Sequence, residues 1–126
     1  MYGYCIMYGV GNEYMIHPDD LDSYIKFISK GYRILEYINK SSDYLVLKYN
    51  GNLFRVNKNL FRELPNFIPK FEIGEVVLVN TKKGEIKGIV LDVMWHYDKN
   101  EPFYFIKVEN KIKSKRYFDK DLKKIT

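Results

Sequence analysis

The chain nearly repeats itself, and this repeat constrains the fold more than any other feature. Residues 32–64 and 88–126 contain the same order of apolar and turn-forming segments. The matching pairs are Ile34–Ile38 with Val90–Met94 (acidic Glu36 matching Asp92), Tyr44–Asn50 with Tyr104–Asn110, and Phe54–Leu60 with Arg116–Leu122. The match predicts that residues 34–60 and 90–122 superpose as equivalent strands of two small β units.

Length and composition favour two units that pack against each other. Each half has roughly 60 residues, and a domain of that size is only marginally stable alone because it buries little surface. Hydrophobic residues make up 46% of the chain and aromatic residues 17%, which is enough for a core and argues against disorder. We therefore expect a β unit at residues 1–66 and a second unit at residues 71–126. Leu64–Lys70, with two prolines, is the expected linker.

One segment has the pattern of a helix. Pro18 suits the first helical position, and acidic residues follow it near the positive end of the helix dipole. Leu21, Tyr24, Ile25 and Ile28 form one apolar stripe at helical spacing. The sequence predicts a helix over 18–29, inserted in the first unit.

Short apolar runs bounded by turn residues predict strands in both units. In the first unit they cover residues 4–8, 13–16, 32–39, 43–50 and 53–57. In the second they cover residues 75–80, 86–97, 102–109 and 112–118, followed by a helical turn at 119–122 and a last strand at 123–125. Asn50-Gly51 predicts a type I′ hairpin turn, which needs positive φ at both central positions.

The second unit resembles a known barrel. Phe71–Val77 and Gly84–Val90 resemble the opening of Tudor- and KOW-type barrels. The order of elements, from a short strand and a long bent strand to a helical turn and a final strand, resembles that of SH3-like barrels. The resemblance implies a mainly β fold of two packed SH3-like small barrel units with one inserted helix, the first unit being a degenerate copy.

The whole chain also resembles a family of short bacterial proteins without an assigned activity. The segments that carry this resemblance are Tyr4–Tyr8, His17–Asp20, Trp95-His96 and Ser114–Tyr117. It implies a bacterial origin and brings no catalytic residues with it.

The net charge of +5 is concentrated in one segment. Between Lys107 and Lys124 there are eight basic and three acidic residues, and this excess of five equals that of the whole chain. It favours a polyanion or an acidic protein surface as partner. The same pattern also suits a solvated hairpin whose charges prevent edge-to-edge aggregation.

Two groups of residues are candidates for binding. Trp95, His96 and Tyr97 end a long strand, and with Phe103 and Tyr117 the aromatic residues could surround a cation or stack on a base. By strand parity, however, Trp95 shares an apolar face with Ile89, Leu91, Val93 and Tyr97, which favours a core position. The second group is Lys113, Lys115, Arg116 and Tyr117, where alternation would put Lys113, Lys115 and Tyr117 on one face of a strand.

Nothing in the sequence points to catalysis. His17–Asp22 suits a helix start better than a metal site, because no Gly-containing loop folds the carboxylates around an ion. Cys5 has apolar neighbours rather than the cationic surroundings of a nucleophilic thiol. No Walker motif, dinucleotide fingerprint, zinc spacing or nucleophile elbow is present. We expect no enzyme activity, no catalytic residues, no metal and no cofactor.

The sequence also predicts a cytoplasmic protein with no membrane association. No apolar run approaches the ~20 residues of a transmembrane helix, and Met1–Cys5 lacks signal-peptide features. A single cysteine excludes an internal disulfide.

Three functions remain open. The leading one is a non-catalytic module that binds another protein, of inhibitor, immunity or adaptor type, because Tyr is abundant here and enriched at interface hot spots. The alternative is a nucleic-acid-binding protein that uses the basic segment 107–124. The third is a reader of a small cation through a Tudor-like aromatic cluster. The sequence leaves the oligomeric state open.

Overall fold

The computed structural model describes residues 1–6, 13–28 and 31–125. Over these residues the fold is mainly β, with two separate antiparallel sheets and one short helix, as predicted. The chain divides into two compact units, Met1–Ile68 and Pro69–Thr126. We call them the N-terminal unit and the C-terminal unit.

The N-terminal unit consists of a sheet and a short helix. Its strands are β1 (Tyr2–Cys5), β2 (Leu35–Ser41), β3 (Tyr44–Tyr49), β4 (Asn52–Asn57) and β5 (Phe61–Leu64). The helix α1 is Leu21–Phe27, and 3₁₀ turns occupy Glu13–Met15, Pro18–Asp20 and Lys58–Leu60.

The C-terminal unit is a sheet with a single 3₁₀ turn among its described residues. Its strands are β6 (Val76–Thr81), β7 (Gly84–His96), β8 (Glu101–Val108), β9 (Lys111–Ile112), β10 (Tyr117–Phe118) and β11 (Leu122–Lys124). The 3₁₀ turn is Asp119–Asp121, between β10 and β11.

The two units share one strand order. It is β4-β3-β2-β1-β5 in the first sheet and β10-β8-β7-β6-β11 in the second, where β9 is added beside β8. In both units a 3₁₀ turn, Lys58–Leu60 or Asp119–Asp121, joins the strands at opposite edges of the sheet. So short a connection requires each sheet to curl on itself, as small barrels do. The predicted repeat is therefore confirmed as a repeat of strand order.

The residue-by-residue match is shifted from the predicted one. The second strand of each unit has a bulge, at Ile38 in β2 and at Leu91 in β7. The two bulge residues can be aligned with each other. Leu47 and Ile106, both buried, then correspond, because each pairs with the residue just before its bulge. The sequence match had set Ile106 against Val46, which is one residue off.

The hairpin turns give the same alignment. Asn50 and Gly51 both have positive φ, which confirms the predicted type I′ turn. Glu109 and Asn110 occupy the same position in the C-terminal unit and also have positive φ. The shifted register means that Glu36 and Asp92 are not equivalent residues, contrary to the prediction.

Each unit has its own apolar core. In the N-terminal unit Tyr24 of α1 and Ile28, which follows α1, pack with Leu47 and Phe54, and the Tyr24 and Phe54 rings meet edge to face at 6.2 Å. In the C-terminal unit the Tyr104 ring contacts Phe71 at 5.4 Å between centroids. These large buried aromatics give each small unit apolar area beyond what its aliphatic residues supply.

The predicted helix at 18–29 is present but shorter and built in two parts. His17 caps its start, because Nδ1 accepts a hydrogen bond from the Asp19 N–H at 3.0 Å. A 3₁₀ turn at Pro18–Asp20 then leads into α1 at Leu21–Phe27, and Ile28 closes the last turn through its bond to the Tyr24 carbonyl. The predicted last residue, 29, lies outside the described residues.

Several strand predictions need correction. Residues 13–15 form a 3₁₀ turn, and only Ile16 makes a bridge, to Val56. The first strand is Tyr2–Cys5 rather than 4–8, of which residues 7 and 8 lie outside the described residues. Phe61–Leu64 forms a strand that the sequence did not predict, because its apolar pattern is too short to be distinctive.

Candidate binding surfaces of the C-terminal unit

Trp95 and Tyr117 are core residues of the C-terminal unit. Trp95 is 8% exposed and Tyr117 is 5% exposed. They share the inner face of the sheet, since Trp95 pairs with Pro102 and Tyr117 pairs with Tyr104 on β8. Burial supports the core interpretation of Trp95, and it leaves neither ring face open for stacking on a ligand.

The prediction from strand parity, which put Ile89 to Tyr97 alternately on two faces of β7, is wrong near both ends of this strand. Ile89 is exposed and Val90 is buried, the reverse of the predicted faces. The bulge at Leu91 is the reason, because one extra residue reverses the alternation of side chains on either side of it. Tyr97 was also predicted to face the core, but it follows the end of β7 and is exposed.

His96 lies in an aromatic cluster on the outer face of the sheet. Its ring is 5.8 Å from Phe103 and 5.8 Å from Phe118. Two cations cover this cluster: Lys99 Nζ lies 4.5 Å from the Phe118 ring centre, and the Arg116 guanidinium lies 5.0 Å from the Phe103 ring centre. His96 Nδ1 also accepts the Lys99 N–H at 3.1 Å, which holds the following turn.

The basic segment does not form the predicted strand at 112–118. Strand β9 ends at Ile112, β10 begins at Tyr117, and the backbone between them is irregular. Its cations therefore go to different places: Arg116 covers Phe103, while Lys115 Nζ lies 5.2 Å from the Tyr117 ring centre. Lys113, Lys115 and Tyr117 do not share one strand face as predicted.

Lys113 instead lines a groove at the end of the barrel. The groove has a volume of about 390 Å³ and combines residues of the β6–β7 hairpin with residues of β8 and of the irregular segment. Its polar lining is Thr81, Lys82, Lys83, Glu109 and Lys113, and its apolar lining is Ile86, Val108 and Tyr117. We call this the barrel-end groove. The sequence did not indicate it, because Lys82 and Lys83 lie far from Lys113 along the chain.

The outer face of β6, β7, β8 and β9 carries a row of three exposed apolar side chains and one lysine. Val76 pairs with Ile89, Ile89 with Lys107, and Lys107 with Ile112, so the four side chains cross the sheet in adjacent strands. Val76, Ile89 and Ile112 are 45%, 41% and 72% exposed. Beside them, Leu78 pairs with Lys87. We call these six residues the outer patch. Sequence reasoning missed it because the bulge conceals which face Ile89 occupies.

Some basic residues of the unit already have acidic partners. Lys123 Nζ lies 3.5 Å from a Glu85 oxygen, and Lys124 Nζ lies 3.3 Å from a Glu75 oxygen. Among the described residues no such ion pair is seen for Lys82, Lys83, Lys87, Lys107 or Lys113. The barrel-end groove and the outer patch therefore each carry lysines that have no ion-pair partner among the described residues.

Residues 1–123 match a family described as "Family of unknown function (DUF6960)". The chain belongs to this family. No curated protein and no solved structure matches the chain significantly. The family match spans nearly the whole sequence but assigns no function.

Cys5 and Asp20 of the N-terminal unit have structural roles. Burial raises the pKa of the Cys5 thiol to about 12, so the thiolate needed for nucleophilic attack is scarce at neutral pH. Asp20 accepts hydrogen bonds from Arg55, at 2.8 Å from the backbone N–H and 2.9 Å from Nε. The guanidinium hydrogen bond holds the Asp20 pKa below its ordinary value.

Tyr104 has a similar structural role in the C-terminal unit. Its hydroxyl donates to Asp119 Oδ1 at 2.7 Å, which ties β8 to the 3₁₀ turn before β11. Burial, and then this hydrogen bond, raise the Tyr104 pKa. The proton therefore stays on the hydroxyl at neutral pH.

The described residues hold neither a candidate metal cluster nor a helix suited to cross a membrane. In residues 1–6, 13–28 and 31–125, no three His, Cys, Asp or Glu side chains are arranged to hold a metal ion. Nor does any helix in these ranges have the length and apolar character to cross a membrane.

Proposed function

We propose that the protein is a non-catalytic binding protein that engages an acidic partner protein through the outer patch of the C-terminal unit. Inhibitors, immunity proteins and adaptors work in this way, by covering or joining other proteins without chemistry of their own. The proposal includes a bacterial, cytoplasmic setting, which the single cysteine and the sequence resemblance favour.

The observation that carries the proposal is the row of side chains across four strands, in which Val76, Ile89 and Ile112 are exposed and apolar and Lys107 lies between Ile89 and Ile112. Single exposed apolar residues are normal on a protein surface, but a contiguous group is typical of an interaction site. Val76, Ile89 and Ile112 are held in line by strand pairing, so a partner meets a preformed surface and little ordering opposes binding.

The charge around the row indicates the kind of partner. Lys87 and Lys107 flank Ile89, and both line a shallow hollow of about 300 Å³ beside Val76. Apolar centres with polar rims are the usual anatomy of protein interfaces. A partner with an apolar centre and an acidic rim would complement this surface and would be steered to it by charge.

The strand order supports an SH3-like barrel for the C-terminal unit. A meander of β6, β7 and β8, a 3₁₀ turn between β10 and β11, and pairing of β11 back onto β6 are consistent with that architecture. Fold alone does not select a function, so the proposal depends on the patch rather than on this likeness.

Nucleic-acid binding is the second candidate, favoured by the three lysines of the barrel-end groove. Lysines can neutralise phosphates, but stable binding of single strands also uses open aromatic faces for stacking. Here Lys115 covers Tyr117 and Arg116 covers Phe103. A protein partner therefore ranks first.

The small-cation reader ranks last for a similar reason. The aromatic cluster around His96 is already covered by cations of the chain itself, Lys99 over Phe118 and Arg116 over Phe103. A ligand cation would have to displace both of them, and the rings of Trp95 and Tyr117 are buried.

The test compares two matched variants in a pull-down from the source cells, with nuclease present. Ile89→Asp places a charge in the outer patch, and Ile38→Asp places one at an equally exposed bulge residue of the N-terminal unit. We expect wild type and Ile38→Asp to retain one stoichiometric protein and Ile89→Asp to lose it, with Kd raised at least tenfold by calorimetry on the purified pair. Equal retention by both variants, or capture that disappears with nuclease, would contradict the proposal.

A further inference from the structure

The barrel-end groove has a rigid rim. Thr81 Oγ1 donates a hydrogen bond to the Gly84 carbonyl at 2.7 Å and accepts one from the Lys83 N–H at 3.2 Å. On the other side, the Lys113 N–H donates to the Ile106 carbonyl at 3.0 Å. The backbone of the rim is therefore fixed on both sides, while the lysine side chains remain exposed. A fixed rim lowers the entropy cost of binding.

The charge of the groove favours an anion. Lys82, Lys83 and Lys113 contribute three positive charges, and Glu109 contributes one negative charge. Among the described residues these lysines have no ion-pair partner, so an incoming carboxylate does not have to displace one. The groove lining therefore carries a net positive charge.

The floor of the groove favours an aliphatic group. Ile86, Val108 and Tyr117 supply its apolar lining. The Tyr117 ring lies in the core of the unit with Lys115 against it, so a planar base cannot stack on an open ring face. A branched aliphatic side chain needs no such face and gains from burial alone.

We infer that the barrel-end groove binds an acidic segment of the partner protein, with one aliphatic side chain on the floor and flanking carboxylates on the three lysines. This inference rests on the proposed function, because it assumes a protein partner, and it adds a second contact site with a defined sequence character. The volume of about 390 Å³ suits a short stretch of peptide rather than a folded domain.

The probe is a fluorescein-labelled peptide, Asp-Glu-Leu-Asp-Glu, titrated into the full-length chain. Two comparison probes are the same peptide with Gly in place of Leu and an oligothymidylate of equal charge. Anisotropy gives affinities, and backbone amide NMR shifts locate the site. We expect millimolar or tighter binding, shifts confined to residues 81–86, 108–110 and 113–117, and about tenfold weaker binding of the Gly peptide, the effect of losing one modest apolar contact.

Matched variants separate the groove from net charge. The variant Lys82→Gln, Lys83→Gln, Lys113→Gln should lose at least tenfold in peptide affinity. The variant Lys26→Gln, Lys40→Gln, Lys58→Gln removes the same charge from exposed positions of the N-terminal unit and should bind nearly as wild type. Circular dichroism checks that both remain folded. Equal losses in the two variants, a Gly peptide that binds as well as the Leu peptide, or tighter binding of the oligothymidylate would overturn the inference.

The outcome is distinguishable from that of the proposed function. Ile89→Asp should leave peptide binding unchanged, because Ile89 does not line the groove. If Ile89→Asp abolishes partner capture while the groove variant retains full partner affinity, the groove inference fails and the proposed function stands. If capture depends on nucleic acid, both fail.

Discussion

The sequence around Trp95 fits either a core role or a ligand-binding role. It ends a long strand beside His96 and Tyr97, as a ligand-binding Trp would, yet it lies on the inner face opposite Pro102. The outward positions on the same stretch of β7 are taken by residues such as His96. The neighbouring residues thus divide between core and surface although all are aromatic.

We expect Trp95→Ala to lower the free energy of unfolding by roughly 3–5 kcal/mol, the range for truncating a large buried aromatic. Urea denaturation followed by circular dichroism measures this loss. Trp95→Phe, which keeps a ring in the core, should lose clearly less. A Trp95→Ala protein that melts within a degree or two of wild type but no longer binds its partner would show that Trp95 acts in binding instead.

At the scale of elements, Arg55 connects the sheet of the N-terminal unit to the helical segment, through a close ion pair with Asp20 at 2.9 Å and a longer one with Asp19 at 3.7 Å. Asp20 ends the 3₁₀ turn before α1 and accepts hydrogen bonds from the backbone and side chain of Arg55 on β4. Because Arg55 depresses the Asp20 pKa, the pair stabilises the fold fully above the unfolded-state pKa of about 3.9. Its contribution is lost as the pH falls through the folded-state pKa.

Asp20→Asn should therefore lower the melting temperature by a few degrees at neutral pH. The difference from wild type should shrink as the pH falls below about 4, because wild type then loses the same interaction. Thermal melts from pH 7 to pH 2.5 measure this. Asp22→Asn, at an exposed position of the same helix, is the control and should follow wild type. A deficit that stays constant down to pH 2.5 would contradict the assignment.

The hairpin turns of the two units have different residues at aligned positions, so a residue of one can be tested in the other. Glu109 has φ of 52°, in the left-handed region that costs most residues roughly 1–2 kcal/mol. The aligned residue of the N-terminal unit is Asn50, which tolerates this conformation. We expect Glu109→Asn to raise the unfolding free energy by about 0.5–1 kcal/mol over Glu109→Gln, which removes the same charge. Equal stability of the two variants by urea denaturation would show that the turn is not strained.

Some features of the strands and turns could be predicted from the sequence, and others could not. The repeated order of elements along the chain and the hairpin at Asn50-Gly51 were predictable, because a repeated apolar pattern and a turn signal are local features. The bulge at Leu91 was not, since it depends on pairing with β8, and this one residue moved Ile89 from the predicted core to the surface. The barrel-end groove was hidden for the same reason, because Lys113 meets Lys82 and Lys83 only in the folded unit.

At the scale of the whole molecule, a repeated fold carries an unequal distribution of charge. Both units have the same strand order, but the excess of positive charge lies between Lys107 and Lys124 of the second. Within that segment Lys123 and Lys124 pair with acidic residues, whereas Lys115 and Arg116 lie over aromatic rings. The charge is therefore divided among several roles and does not form one continuous phosphate-binding stripe.

This distribution predicts how the full-length chain responds to nucleic acid. We expect weak, sequence-independent binding at low salt that vanishes near 0.15 M, where the Debye length is about 8 Å. The variant Lys113→Ala, Lys115→Ala, Arg116→Ala should weaken it, each lost phosphate contact reducing the slope of log K against log salt by about 0.9 on duplex DNA or about 0.7 on single strands. The control Lys26→Ala, Lys40→Ala, Lys58→Ala should keep the wild-type slope. Fluorescence anisotropy over a salt series measures both, and submicromolar affinity of wild type for any DNA or RNA at ~0.15 M salt would place nucleic acid ahead of a protein partner.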